Sequence, residues 1–453
     1  MAEADPHADL VAKVDHARAR WDADTKGLRA RASVFTSVEP TPVGKINPWH
    51  NGGSGTNAEV PAASIVIEPP ASETTRGRVA GFSPVKVGYL IDIDTGALLG
   101  DCLDAAILAC EDALNDGELF RPIELVPRIA RGLPRGEARV AVAGYEDLCD
   151  EGCLIVLGPY ITDNAMALLP AMERRRVPML STNGAKPFHS YYGFTTGNGG
   201  VSEEGAIMAG WLRENGHQRV AMITEISPGG REYSSAFRAS ARRNRLDVVS
   251  ELMIETTGRG LAEALELLRD DIKPDALAYC GYGYPTAMFN PILKELAWNP
   301  PRIMSTAFLW YINVASILDD LEGWVGVDQI GDEVGDPNPN FWPTMNRFEQ
   351  RFGRKVIHAM VACTYDQTRA ALAGIAAATL LDPPGVVSGL ETLTMLPTVV
   401  GGPRSYISFG PYDHKGLKGD WLTVRRVVNG VPAFEGYLST LYPSTIDEAR
   451  TKG

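Results

Sequence analysis

Long apolar runs are missing. No stretch reaches the roughly 18 uncharged apolar residues that a membrane-spanning helix needs, and the runs 307–318 and 370–381 read as buried helices. Cysteine is scarce: six residues, Cys102, Cys110, Cys149, Cys153, Cys280 and Cys363, do not suggest a disulfide scaffold in a chain of 453 residues. Cys149 and Cys153 lack a second Cys or His pair at metal-ligand spacing, and the seven histidines are scattered. Reduced, buried thiols and no metal are therefore expected. Positive charge is in deficit, 43 Lys and Arg against 56 Asp and Glu, for a net charge of −13. That argues against a nucleic-acid or anionic-membrane surface. The basic clusters Arg174-Arg175-Arg176 and Arg242-Arg243 read as solvated helix faces. Catalytic signatures are missing as well. Gly197-Asn198-Gly199-Gly200 lacks the third glycine of a phosphate-binding loop, and Gly52-Gly53-Ser54-Gly55 lies in no strand–helix turn. No cofactor is expected. The start, MAEADPHADLVAKVDHARARW, has no apolar core of an export signal, and no cysteine precedes Cys102. As written the chain is expected in the cytoplasm; a start codon further upstream would make it periplasmic or otherwise extracytoplasmic.

What is present is an ordinary globular composition, 45% hydrophobic and 22% charged, long enough for two or three domains. Residues 8–32 carry a heptad-like stripe, Leu10, Val14, Ala17, Trp21, Thr25 and Leu28. Two readings stay open for it: a helix packed on its own protomer or a neighbour, and a dimerising coiled coil. Residues 33–80, rich in Pro, Gly, Ser and Thr, read as a linker or extended arm.

From Val85 a regular alternation begins. Apolar runs at 85–91, 123–126, 154–157 and 177–180 read as strands, with helices at 103–114 and 139–149 between them. The pattern restarts after Thr195-Thr196-Gly197. Helices at 203–215, 234–243, 261–271 and 286–296 alternate with strands at 219–223, 248–253, 276–280 and 302–305. A strand at 324–330 and helices near 340–352 and 365–381 follow. Charge-free runs such as Leu154-Ile155-Val156-Leu157 fit parallel strands covered on both faces. Two such series imply two α/β lobes with a cleft between them. In an open α/β sheet, ligands sit at the carboxyl ends of the strands, so the loops Tyr160-Ile161-Thr162-Asp163 and Ser181-Thr182-Asn183-Gly184 are where a small-molecule pocket is expected.

Across residues 85–438 the chain resembles the type I periplasmic-binding fold and, more narrowly, the Leu/Ile/Val- and amide-binding solute receptors of ABC-type importers. VKVGYLIDIDTGALLGDCLDAAILACEDALNDG is similar to the family's first strand, ligand loop and helix. GPYITDNAMALLPAMERRRVPMLSTNGAKP resembles its two principal ligand loops, and YGFTTGNG its first hinge crossing. RVAMITEISPGGREYSSAFRASAR resembles the opening of the second lobe, HAMVACTYDQTRAALAGIAAA the late helix returning to the first, and SFGPYDHKGLKGDW the terminal hairpin. The resemblance implies two doubly wound, Rossmann-like lobes joined by three hinge crossings and closing on a ligand. It divides the chain into an N-terminal helix (1–32), the arm (33–80), a first lobe (81–198 plus 330–410), a second lobe (199–329 plus 411–440) and a tail (441–453).

Carried over by position, the resemblance implies a ligand set of Leu99, Tyr160, Ile161, Thr162, Asp163, Thr182, Asn183, Gly184, Ala185, Gly230, Arg231, Tyr282, Phe308 and Trp310. Thr162 keeps the hydroxyl that holds the ligand carboxylate in amino-acid receptors, and Asn183 matches the carbonyl that meets the ammonium. Ala185 stands where that loop's Thr would be, Gly229-Gly230-Arg231 replaces the aromatic lid, and Ala307 takes the position of the acidic ammonium partner. An unpaired ammonium in a closed cleft costs several kcal/mol. The expected ligand is therefore apolar or aromatic and carries a carboxylate or amide, lined by Phe308, Trp310, Tyr282 and Tyr284, with Arg231 as its charge partner. Against this stand plain packing for the aromatics, a solvated charge for Arg231 and a helix cap for Asp163.

The leading expectation is a non-catalytic small-molecule binder. It serves as the receptor of an ABC-type permease if exported, or as a cytoplasmic sensor, with residues 1–80 available for a homo-oligomeric or other protein contact. The alternatives are a cleft enzyme using Asp92, Asp94 and Asp163, and a scaffold subunit with a vestigial pocket.

Overall fold

The computed structural model describes residues 64–69, 82–92, 97–133, 136–197, 201–281, 283, 285–305, 308, 321–331, 337–356 and 358–437, with backbone only for 97–99 and 287. The N-terminal stripe, most of the arm and the tail lie outside the described residues.

The first lobe is built on a six-stranded sheet. Its strands are β1 (Ile65–Ile67), β2 (Val85–Ile91), β3 (Ile123–Ile129), β4 (Ile155–Leu157), β5 (Met179–Ser181) and β6 (Gly193–Thr195), in the order β1-β3-β2-β4-β5-β6. All pairs are parallel except β1 on β3, so Ile65–Ile67 of the stretch read as linker adds an antiparallel edge strand. Helices α1 (Ala97–Asn115), α2 (Ala138–Asp150) and α3 (Thr162–Arg175) connect these strands. The second lobe repeats the plan. α4 (Val201–Glu214) leads to β7 (Arg219–Glu225), α5 (Pro228–Arg243), β8 (Asp247–Ile254), α6 (Leu261–Leu267), β9 (Ala276–Cys280), α7 (Phe289–Glu295), β10 (Arg302–Met304) and β11 (Trp324–Asp328). Counted within each lobe, the five parallel strands run in the order 2-1-3-4-5. The order therefore reverses between β2 and β4, and again between β7 and β9; such switch points are where doubly wound sheets bind ligands.

After β11 the chain returns to the first lobe, where α8 (Phe341–Phe352) and α9 (Ala359–Ala377) pack on α1 and α10 (Pro383–Glu391) packs on α9. A small sheet of β12 (Leu396–Pro397), β13 (Tyr406–Ile407) and β14 (Leu417–Lys418) follows. The hairpin β15 (Thr423–Val428) and β16 (Val431–Tyr437) then joins the second sheet against β11. The chain thus passes between the lobes three times.

The strands follow from their apolar runs: β4, β5, β9 and β11 are buried at every position. Several boundaries differ from the sequence reading. β3 runs through Pro127, which lies beyond the described pairs of β1 and β3, towards the sheet edge, where a missing N–H is tolerated. α9 starts at Ala359 because the His358 ring accepts from Met360 N at 3.0 Å. α10 was not anticipated, although Asp382 caps it through Gly385 N at 2.8 Å and two prolines open it. The stretch expected as the terminal hairpin, 408–421, instead contributes to the small sheet. The hairpin comes after it, turned by Asn429-Gly430 with both residues at positive φ.

Candidate functional site

At the first switch point a carboxylate holds the loop after β4. Asp92 follows β2 and is buried. Its oxygens accept from Tyr160 N at 2.7 Å, Ile161 N at 3.0 Å and Asn164 Nδ2 at 2.8 Å. Burial pushes the Asp92 carboxyl up to about 6, against these donors, which favour the charged form. Asn164 is fixed in turn, accepting from Leu133 N at 2.8 Å and donating to Leu133 O at 3.1 Å. The Tyr160 side chain turns away into the lobe, where its hydroxyl meets the Tyr89 hydroxyl and Thr364 Oγ1, the latter at 3.1 Å. Ile161 is core. Thr162 and Asp163 are partly exposed and begin α3, whose first amides have no acceptor within the helix.

The loop after β5 is tied to the first. Ser181 Oγ donates to Pro159 O at 2.6 Å and accepts from Asn183 N at 3.0 Å, and Asn183 Oδ1 accepts from Ala185 N at 2.9 Å. Thr182, Asn183 and Ala185 are buried and Gly184 is partly exposed. Thr182 lies at the first crossing, close enough that a Cβ on Gly197 would be 2.8 Å from its own Cβ. Thr182 Oγ1 and the neighbouring Thr196 Oγ1 are buried without a hydrogen-bond partner.

The second switch point repeats the first. Glu225, the last residue of β7, is fully buried and accepts from the Tyr279 hydroxyl and from Gly283 N, the latter at 2.8 Å. Gly281 must be glycine, since a Cβ there would overlap the Glu225 side chain. Ser227 then caps α5 through Gly230 N at 2.9 Å, and a Cβ on Gly230 would overlap Glu225 O. Arg231 is exposed. Glu232 reaches the other lobe, where its Oε1 lies 3.4 Å from Lys186 N. Burial, opposed by that amide and reinforced by the Asp163 charge, raises the Glu232 carboxyl above its usual range. The first turns of α3 and α5, one from each lobe, therefore face each other with Asp163 and Glu232 between them.

Phe308 is fully buried in the second-lobe core against Gly326, so its ring does not line the cleft. Tyr282, Tyr284, Ala307, Trp310, Asp94 and the Leu99 side chain lie outside the described residues. The structure places Thr162 and Asp163 at the opening of α3, which touches α5 of the other lobe, and Asn183 and Gly184 in the loop after β5; it places Tyr160, Ile161 and Phe308 in packing. Both oxygens of Asp92 are engaged by amides, so it does not offer the carboxylate that the enzyme alternative needs. Among the described residues no His, Cys, Asp or Glu group is arranged to hold a metal, no helix is long and apolar enough to cross a membrane, and none of the six cysteines is in a disulfide. Glu225 and Glu232 are not among the candidates read from the sequence, and Ser181 enters there only as the start of its loop. The available signal was the acid that closes the first strand of each lobe, Ile91-Asp92 and Thr224-Glu225.

The sequence profile of a family described as periplasmic binding protein matches residues 84–427. Solved structures share the fold. A substrate-binding protein of an ABC transporter from Desulfitobacterium hafniense, in complex with Leu, has TM-score 0.63 at 16% identity, covering 78% of this chain and 100% of that one. A leucine-binding protein from Thermotoga maritima has TM-score 0.64 at 19% identity, covering 78% of this chain and 98% of that one. A possible leucine/isoleucine/valine-binding protein from Rhodopirellula baltica has TM-score 0.67 at 15% identity, covering 78% and 96%. A comparison with curated proteins found no match.

Proposed function

The chain belongs to the periplasmic binding protein family, and from that premise we propose that it is a non-catalytic receptor closing its two lobes on a small solute. The supporting observation is the pair of helix N-termini, α3 with Thr162 and α5 behind its Ser227 cap, that meet across the lobes. The opening amides of α3 and the positive ends of two helix dipoles favour a carboxylate or an amide oxygen, opposed by the Asp163 and Glu232 charges beside them. Ala185 is buried and carries no hydroxyl, so at that position the loop after β5 offers an ammonium no side-chain acceptor. The ligand is accordingly a carboxylate or amide with an apolar or aromatic body and no free α-ammonium. The relatives named for leucine support a solute of that general size, and the use we propose is delivery to an ABC-type permease.

Thermal-shift measurements with L-leucine, L-phenylalanine, 4-methylpentanoate, phenylacetate and isobutyramide test this. A saturating ligand at about 100 times its Kd adds about 2.7 kcal/mol of stability, which is readily seen. Stabilisation by 4-methylpentanoate or phenylacetate above that by the matching amino acid is expected. A stronger response to the amino acids refutes the ligand class, and turnover of any compound refutes the non-catalytic reading. Fractionation of the native protein decides the setting: recovery only from the cytosol would replace delivery by sensing.

A further inference from the structure

The acids that close the first strand of each lobe occupy equivalent places. Asp92 follows β2 and holds the loop after β4; Glu225 ends β7 and holds the loop after β9. In both lobes the carboxylate sits at the switch point, and in both it accepts backbone amides of the third-strand loop. Neither acid fits a purely packing role, because burying a carboxylate is costly unless local donors repay it. The donors that meet them include backbone amides, the Asn164 side-chain amide and the Tyr279 hydroxyl.

The consequence for binding is specific. In the first lobe the amides of Tyr160 and Ile161 are already used by Asp92, so a ligand anion is left with the Thr162 hydroxyl and the opening amides of α3. Asp92 also grips Asn164, inside the first turn of α3, so that one carboxylate sets both the loop and the direction of the helix N-terminus. In the second lobe Glu225 holds Gly283 on one side, while its own carbonyl closely abuts Gly230 at the start of α5.

We propose that Asp92 and Glu225 are matched positioning residues: each uses a buried carboxylate to pre-order the third-strand loop of its lobe, and Asp92, through Asn164, also aims the N-terminus of α3 at the ligand. The proposal rests on the receptor reading for its purpose, but its geometry is tested without any ligand.

The experiment is amide hydrogen exchange on the unliganded full chain, followed peptide by peptide, with thermal melts run in parallel. The variants are Asp92→Asn, Asp92→Leu, Glu225→Gln and the double variant Asp92→Asn/Glu225→Gln. Asp92→Asn keeps one acceptor of two, so the peptide holding Tyr160 and Ile161 should exchange at least about tenfold faster, and more so in Asp92→Leu. The rest of the first-lobe sheet should keep its protection, and the melting temperature should hold or rise because a buried charge is gone. Glu225→Gln should release the peptide holding Gly283 and leave the Tyr160 peptide untouched. Faster exchange spread over the whole lobe with a falling melting temperature would mean a general structural role and would overturn the proposal. So would unchanged exchange at Tyr160 and Ile161. If Asp92→Leu fails to fold, Asp92→Asn decides alone. Phenylacetate and 4-methylpentanoate shifts are then recorded on the same variants. If the wild type answers to neither, the receptor reading fails while the exchange result still stands on its own.

Discussion

The chain crossings between the lobes contain a buried ion pair whose removal makes a quantitative test. Asp328 closes β11, where the chain leaves the second lobe, and Arg425 lies on β15, where it returns. Arg425 Nε and Asp328 Oδ2 are 3.1 Å apart, with side chains 5% and 0% exposed, and Arg425 Nη1 also donates to Pro432 O at 3.0 Å. At that separation the gross attraction is about 5 kcal/mol at an effective dielectric of about 20. Even so, burial pushes the Asp328 carboxyl up to about 6, against Arg425 and the Gln329 and Ile330 amides. Arg425→Met strands the carboxylate. The expected loss at pH 8 is about 3–5 kcal/mol, because an uncompensated buried charge remains. The loss should shrink as the pH falls. Without Arg425 the folded pKa of Asp328 rises further above its unfolded value, so the acid takes up a proton and the penalty is relieved below the new pKa. At about two units below it the penalty of the charged form is gone, each unit being worth about 1.4 kcal/mol. Urea unfolding followed by tryptophan fluorescence, at pH 5 and pH 8, gives both numbers; Trp324, buried on the same strand, is a convenient reporter. Asp328→Asn in the Arg425→Met background should recover most of the pH 8 loss. A loss equal at the two pH values, or no recovery in the double variant, would refute the reasoning.

Two further outcomes follow from the same structure. Asp92 and Asp328 at about 6 and Asp366 at about 7 are all held above their usual range by burial, Asp366 while accepting from Val399 N and Val400 N at 2.9 and 3.0 Å. A raised folded pKa means stability is fully present below the unfolded value and lost as pH rises through the folded one, so each of these acids should withdraw stability between pH 5 and pH 8, against His189, whose burial lowers it to about 4 and adds stability over the lower part of that range; Asp366→Asn should lose less stability from pH 5 to pH 8 than the wild type in thermal melts, and an unchanged pH profile would contradict this. At Gly326 a Cβ would overlap the Phe308 ring, so Gly326→Ala should cost about 1–3 kcal/mol in urea unfolding by overpacking the second-lobe core, and an unchanged midpoint would show that Phe308 is not seated there.

Much of the architecture was readable along the chain. β2 occupies 85–91 as read, and β9 occupies 276–280, because a charge-free run of strand length between turn residues has few other uses in a chain of this pattern. Thr162 and Asp163 were readable as the opening of a helix after a Gly-Pro loop, and both lie there with partial exposure. The Asn429-Gly430 pair is a hairpin-turn signal legible in the sequence, whereas the 408–421 stretch only resembles a hairpin.

The sequence by itself determined the alternation of strand and helix, the two-lobed class and the position of the loops at the strand ends, because these depend on local periodicity and on residues close in the chain. It did not decide which side chains of those loops face the cleft. Tyr160 was a ligand candidate by position, yet its ring is drawn inward by Tyr89 and Thr364, the latter 204 residues away. Asp92 lies 68 residues from the amide it holds, and only the 2-1-3-4-5 strand order brings the two together. Phe308 follows a strand end just as a lining residue would, but Gly326 on the neighbouring strand leaves a hollow that its ring fills. Tertiary structure made these choices because a side chain's direction depends on which partner or space lies beside it, and that neighbour is supplied by a distant part of the chain.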